Sequence, residues 1–137
     1  MKEVFEVTSK SKDCKVKFSE EDIEDLVVTI LEGGIGYWAV LDNRGEEFEK
    51  APADEPVSIT ATKILLKKGE LTFYDVENND VSVLNLENLQ RGIQRYIDED
   101  YDYYDALTSE EPDLGEIDAD AADTIAQLAM FGEIVYG

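Results

Sequence analysis

Histidine is absent from this chain, cysteine occurs once, and no Lys or Arg follows Arg95. Each shortage removes a class of chemistry. Without an imidazole, Ser, Thr and Cys lack their usual activating base, and zinc, which favours thiolate and imidazole ligands, has a single sulfur to bind. Cys14 has no partner for an intramolecular disulfide and falls in a segment that reads as a strand, not at a helix N-terminus where thiolates are activated. No apolar run reaches the roughly 18 residues of a membrane span, and no basic-then-apolar leader opens the sequence. These shortages lead us to expect no enzyme, no metal, no cofactor and no membrane contact, in a soluble cytoplasmic protein.

What remains is enough to fold. The 137 residues are 43% hydrophobic and include seven Tyr, five Phe and one Trp, too apolar for the highly charged disordered class. That length is about one domain, able to bury one core without disulfides. Charge is distributed unevenly. Residues 1–95 hold 20 acids and 12 bases, net −8, whereas residues 96–137 hold 13 acids and no base, net −13. Such a field repels nucleic acid and anionic membranes and favours encounter with basic surfaces.

Along the chain, EVFEV (3–7) and CKVKF (14–18) alternate apolar and polar residues about a polar connector, predicting a β-hairpin. Ser19 is set as an N-cap with Glu20, Glu21 and Asp22 in the first turn. Ile23, Leu26, Val27 and Ile30 then follow helical spacing to about Leu31, with Gly33 expected to close the helix in a left-handed conformation. YWAVLD (37–42) reads as a strand, and residues 43–56 form the most loop-like stretch. VSITATKILLKKG (57–69) is ambiguous; a basic last turn and Gly69 as a C-cap favour helix. ELTFYDV and VSVL, joined by ENND, read as a second hairpin. A helix starts at Asn85 or Glu87 with Leu89, Ile93, Tyr96 and Ile97 on one face, and Tyr101 and Tyr104 extend that stripe. The last helix is capped by Asp118 or Asp120, presents Ala121, Ile125, Leu128 and Ala129, and ends at Gly132 before a short EIVY strand. Hairpins interspersed with helices predict an α+β single domain, a mostly antiparallel sheet packed with about four helices.

Several motifs imitate known sites without completing them. EGGIGYW (32–38) has glycines but no lysine and follows a helix, so C-capping and packing beneath Tyr37 and Trp38 explain it better than phosphate binding. Asp98, Asp100 and Asp102 match the first ligands of an EF-hand, but Tyr103 stands where its glycine belongs and Ser109 where its bidentate glutamate belongs. Asp118, Asp120 and Asp123 fail in the same way, at Ala129. The acidic row in DEDYDYYD is itself the more informative feature. Extended, it places Asp98, Asp100 and Asp102 roughly 6 to 7 Å apart on one side; helical, Asp98, Asp102 and Asp105 share a face at steps of roughly 6 Å. Either spacing approximates successive phosphates, and the helical form also gives the tyrosines a core role. We expect an acidic helix extension and loop over about residues 98–118. Its candidate partner-binding residues are Asp98, Asp100, Asp102, Tyr103, Asp105, Glu110, Glu111, Asp113 and Glu116.

The blocks DLVVTILEGGIGYWAVLD, LTFYDVENN, LNLENLQRGIQRYID and IDADAADTIAQLAMFGEIVYG resemble an uncharacterised family of small proteins from phages and integrative elements of Firmicutes. The resemblance runs from about Asp22 to Gly137 and is most specific in EGGIGYW and ADTIAQLAMFGEIVYG. The acidic insert DEDYDYYDALTSEEPDLGE departs from it. The family supplies no catalytic residues to carry over. The resemblance implies a mobile-element accessory protein acting in the host cytoplasm, where inhibitors of the anti-restriction or anti-CRISPR type include acidic mimics of DNA or RNA. The expected partner is the basic surface of a host nucleic-acid-binding or defence protein, without direct contact to nucleic acid. Two alternatives stand beside it: a nucleotide-binding module near Gly33–Trp38, and an assembly protein that is merely kept soluble by its acids, its EIVYG segment joining copies in a homo-oligomer.

Overall fold

A computed structural model describes residues 2–11, 13–99, 101, 107–108 and 112–137. The chain opens with the expected hairpin, β1 (Glu3–Ser9) against β2 (Cys14–Ser19), whose alternation turns Phe5, Val7, Val16 and Phe18 inward. Ser19 then caps α1 (Glu20–Thr29) through a reciprocal capping box: the Asp22 N–H donates to Ser19 Oγ, and the Ser19 N–H donates to Asp22, satisfying two otherwise unpaired amides. Ile23, Leu26 and Val27 are buried along this helix.

α1 does not end in a left-handed Gly33. It widens into a π-helical turn, Ile30–Gly34, and Gly33 has no positive φ. The glycine that matters for space is Gly34: a Cβ there would lie 3.3 Å from Ala119 O and Asp123 N of the last helix. β3 (Ala39–Leu41) follows, and the loop-like stretch contains a short helix, α2 (Glu46–Glu49). The ambiguous segment is helical, α3 (Val57–Leu66). Its left-handed residue is Lys68, with φ 67°, and not Gly69; Gly69 is small because a Cβ would meet Ile64 Cγ2 at 2.8 Å. β4 (Leu71–Asp75) and β5 (Val81–Leu84) form the second hairpin, and β3 pairs to β4 to give a three-stranded antiparallel sheet beside the two-stranded one.

Asn85 and Asn88 build another capping box at the start of α4 (Leu86–Asp98). Leu89, Ile93, Tyr96 and Ile97 are buried, as their spacing predicts. The stripe does not continue as one helix through Tyr101, and Tyr104 lies outside the described residues. α4 stops at Asp98, and Tyr101 packs back on its last turn, its N–H donating to Tyr96 O at 3.3 Å and its ring stacked on Tyr96 at 5.1 Å. Asp118 caps α5 (Ala119–Phe131), which ends at Gly132 with φ 75°, as expected. α4 and α5 pack so closely that a Cβ on Gly92 would sit 2.8 Å from Ala129 Cβ. The five helices and two antiparallel sheets of the described residues make the α+β single domain that the sequence predicts. EIVY is not a strand. Its backbone partner is a side chain, described below.

Candidate functional site

The proposed acidic row divides three ways. Asp100, Asp102, Tyr103, Asp105, Glu110 and Glu111 lie outside the described residues. Asp98 is half-buried and engaged internally: it accepts from Ser9 Oγ at 2.7 Å and Ser11 Oγ at 3.1 Å, tying the end of α4 to the β1–β2 turn. Burial pushes its carboxyl up, but the bonds from Ser9, Ser11 and the Lys10 and Ser11 amides outweigh it and hold the group below its ordinary range. Asp113 and Glu116 are exposed on a tight turn in which Asp113 accepts the Gly115 N–H at 2.9 Å.

That turn brings Asp113 to α1. Asp25, half-buried on α1, has its carboxyl raised first by burial and then by Glu21, Glu24, Asp113 and Asp22 around it. A Cβ on Gly115 would lie 3.0 Å from the Asp113 carboxylate and 3.3 Å from that of Asp25. Among the described residues, no ion pair reaches Glu20, Glu21, Asp22, Glu24, Asp25, Asp113 or Glu116. The pairs that form lie elsewhere, at Lys17–Glu3, Arg44–Asp42, Lys50–Glu46, Lys63–Glu55, Arg91–Glu87 and Arg95–Glu99. The result is a face of like charges from two segments far apart in sequence. Reading EEDIED only as helix-dipole acids missed it; the signal was that Glu21, Glu24 and Asp25 flank the buried Ile23 and Leu26 on the outward side.

The aromatics of EGGIGYW are placed differently. Trp38 is 3% exposed, donates from Nε1 to Asp123 Oδ1 at 2.8 Å and stacks on Tyr136 at 4.6 Å with planes 8° apart. Tyr37 donates to Asp123 Oδ2 at 2.5 Å, and its pKa is pushed up to about 12, first by burial and then by that bond. Gln127 Nε2 donates to Asp123 Oδ1 at 3.0 Å, so one carboxylate gathers three donors. Tyr136 donates its hydroxyl to Asp75, which that bond and the Glu77 and Asn78 amides keep below its ordinary range. The EGGIGYW segment and the α5–EIVYG segment therefore meet as one unit. Sequence spacing did hold the signal for it, since Asp123 and Gln127 sit at i, i+4 among the buried Ala122, Ile125 and Ala126.

A nucleotide would find little here. The cavity beside Gly36, about 240 Å³, is lined by Leu31, Glu32, Ile35, Val57, Ser58 and Phe73 among others, with no Lys or Arg. Its one acid, Glu32, accepts from Ser58 Oγ at 2.6 Å. Among the described residues no group of His, Cys, Asp or Glu is arranged to hold a metal ion, and no helix is long and apolar enough to cross a membrane. Compared with protein-family models, curated proteins and solved structures, the chain matches none.

Proposed function

We propose that this chain is a non-catalytic accessory protein of a mobile element, an acidic inhibitor that covers the basic nucleic-acid-binding surface of a host defence protein. The observation that carries the reading is the convergence of Glu21, Glu24 and Asp25 on α1 with Asp113 from a distant turn, without an ion pair from any described residue. Crowding like charges costs stability. A surface that keeps them is suited to a partner that supplies the missing cations on binding. The chain's charge over residues 96–137, net −13, has the same sign. Because the face is reached through Coulomb attraction in solvent, capture of the partner weakens with salt, by at least about tenfold between roughly 50 and 200 mM.

The test is affinity capture from host lysate at low and high salt, comparing the natural chain with a variant carrying Glu21→Lys, Glu24→Lys, Asp25→Lys and Asp113→Lys. The reading expects one dominant basic nucleic-acid-binding protein, released by salt and lost in the variant. Equal capture by the folded variant overturns it.

A further inference from the structure

Residues 133–136 cross the end of α5 without joining either sheet. Their backbone is held chiefly by one side chain, with Tyr37 Oη also 3.5 Å from the Tyr136 carbonyl. Gln127 Oε1 accepts the N–H groups of Val135 and Tyr136, both at 2.8 Å, and its Nε2 donates to the Tyr136 carbonyl at 3.1 Å. Gln127 is only 1% exposed, so its amide is nearly cut off from bulk water, and its oxygen is satisfied by these two backbone N–H groups. The Tyr136 ring is received between Trp38, at 4.6 Å, and Phe131, at 6.0 Å, and its hydroxyl is read by Asp75. Backbone hydrogen bonds that grip and one pocket that identifies a side chain are how peptide-recognition sites hold extended ligands.

The present occupant is only partly enclosed. Ile134 and Val135 remain 42% and 53% exposed, and the segment leaves α5 through the left-handed Gly132. Opening it would break the Gln127 bonds, the Trp38 stack and the Asp75 bond, all of them made by residues 135–136. Acids flank the pocket on both sides: Asp75, Glu77 and Asp80 act on the Tyr136 hydroxyl, and Asp120 and Asp123 act on Tyr37.

We propose that the groove formed by Trp38, Gln127 and Asp75 is a peptide-binding site, occupied in cis by residues 134–136, that accepts in trans an extended segment bearing a tyrosine flanked by lysine or arginine. The site is independent of the α1 face, and its failure leaves the reading of that face untouched.

Trp38 is the chain's single tryptophan, so its fluorescence reports the groove directly. The probes are a synthetic Lys-Ile-Val-Tyr-Gly-Lys peptide and a control with alanine in place of tyrosine, each added to the full-length Tyr136→Ala chain. The variant's Trp38 emission is expected to shift to the red. The tyrosine peptide should reverse the shift saturably, at least about tenfold more tightly than the control. Adding Gln127→Ala should abolish the response. The natural chain should need more peptide, because its own segment competes. If circular dichroism shows Tyr136→Ala unfolded, Tyr136→Phe replaces it, keeping the stack and losing the bond to Asp75. No tyrosine-selective response in a folded variant, a response shared by the control, or loss of fold in both variants overturns the proposal, since a displaceable segment is not needed for folding.

Discussion

Asp123 and Asp25 are both half-buried aspartates on helices, yet their surroundings are opposite. Asp123 receives Trp38 Nε1, Tyr37 Oη and Gln127 Nε2, so its negative charge is the acceptor around which the junction of the π turn, α5 and residues 133–136 is organised. Asp25 has Glu21, Glu24, Asp113 and Asp22 for neighbours, and its charge opposes theirs. The same side chain thus holds one region together and strains the other. In a protein with 33 acids, composition alone does not tell the two apart; the donors within reach do.

The sharpest way to break the comparison is on the junction side. Trp38→Ala removes a ring that stacks on Tyr136, touches Phe131 and donates to Asp123. A loss of about 3–5 kcal/mol is expected in denaturant unfolding, with release of residues 133–136 seen as faster amide exchange at Val135 and Tyr136. A loss under about 1 kcal/mol would mean that the junction is not a packing centre.

Second in size is Asp123→Ala, which leaves three donors without their acceptor. About 2–3 kcal/mol should be lost, while Asp123→Asn, which keeps an acceptor oxygen, should recover part of it. If Asn and Ala cost the same, the carboxylate geometry is not what orders the site.

Much of this architecture was legible. Period-2 alternation marked the first hairpin, and Ser19, Asn85 and Asp118 announced helix starts because their side chains can accept an amide where the backbone has no partner. Gly132 was read correctly as the end of the last helix, where it takes a left-handed φ. Other features escaped. Lys68 takes the left-handed φ while Gly69 is kept for its lack of Cβ, and residue type alone does not separate these two reasons for a glycine. EIVY looked like a strand because it is apolar and β-branched, but its partner is the Gln127 amide, and a glutamine within a helical pattern ordinarily reads as surface. The approach of Asp113 to the acids of α1 was not read, because it is a juxtaposition that local spacing does not encode.

A third prediction tests Asp98, which is engaged internally at the end of α4. Asp98→Ala unfastens the β1–β2 turn from α4 by deleting the acceptor of Ser9 and Ser11, at a cost of about 1 kcal/mol. Its pH dependence has a definite sign. The folded carboxyl lies below its ordinary range, so its contribution is present above the unfolded pKa of roughly 4 and disappears as pH falls through the folded value. The natural chain should lose stability on acidification below roughly pH 4 more steeply than Asp98→Ala does, measured by urea unfolding across that range.

The smallest effect is expected at Asp25, and its sign carries the weight. Its folded carboxyl is raised by burial and by like charges, so the ionised form is disfavoured in the fold relative to the unfolded chain. Near neutral pH that is a net cost, relieved as pH falls through the raised value and the group takes a proton. Asp25→Asn should therefore leave stability unchanged or raise it by up to about 0.5 kcal/mol at neutral pH, and the gain should vanish in high salt, which screens Glu21, Glu24 and Asp113. Unfolding at low and high ionic strength measures both. Destabilisation by Asp25→Asn would mean that Asp25, like Asp123, is held by donors and belongs to the structure, and the α1 face would then lose its central charge as a candidate for partner binding.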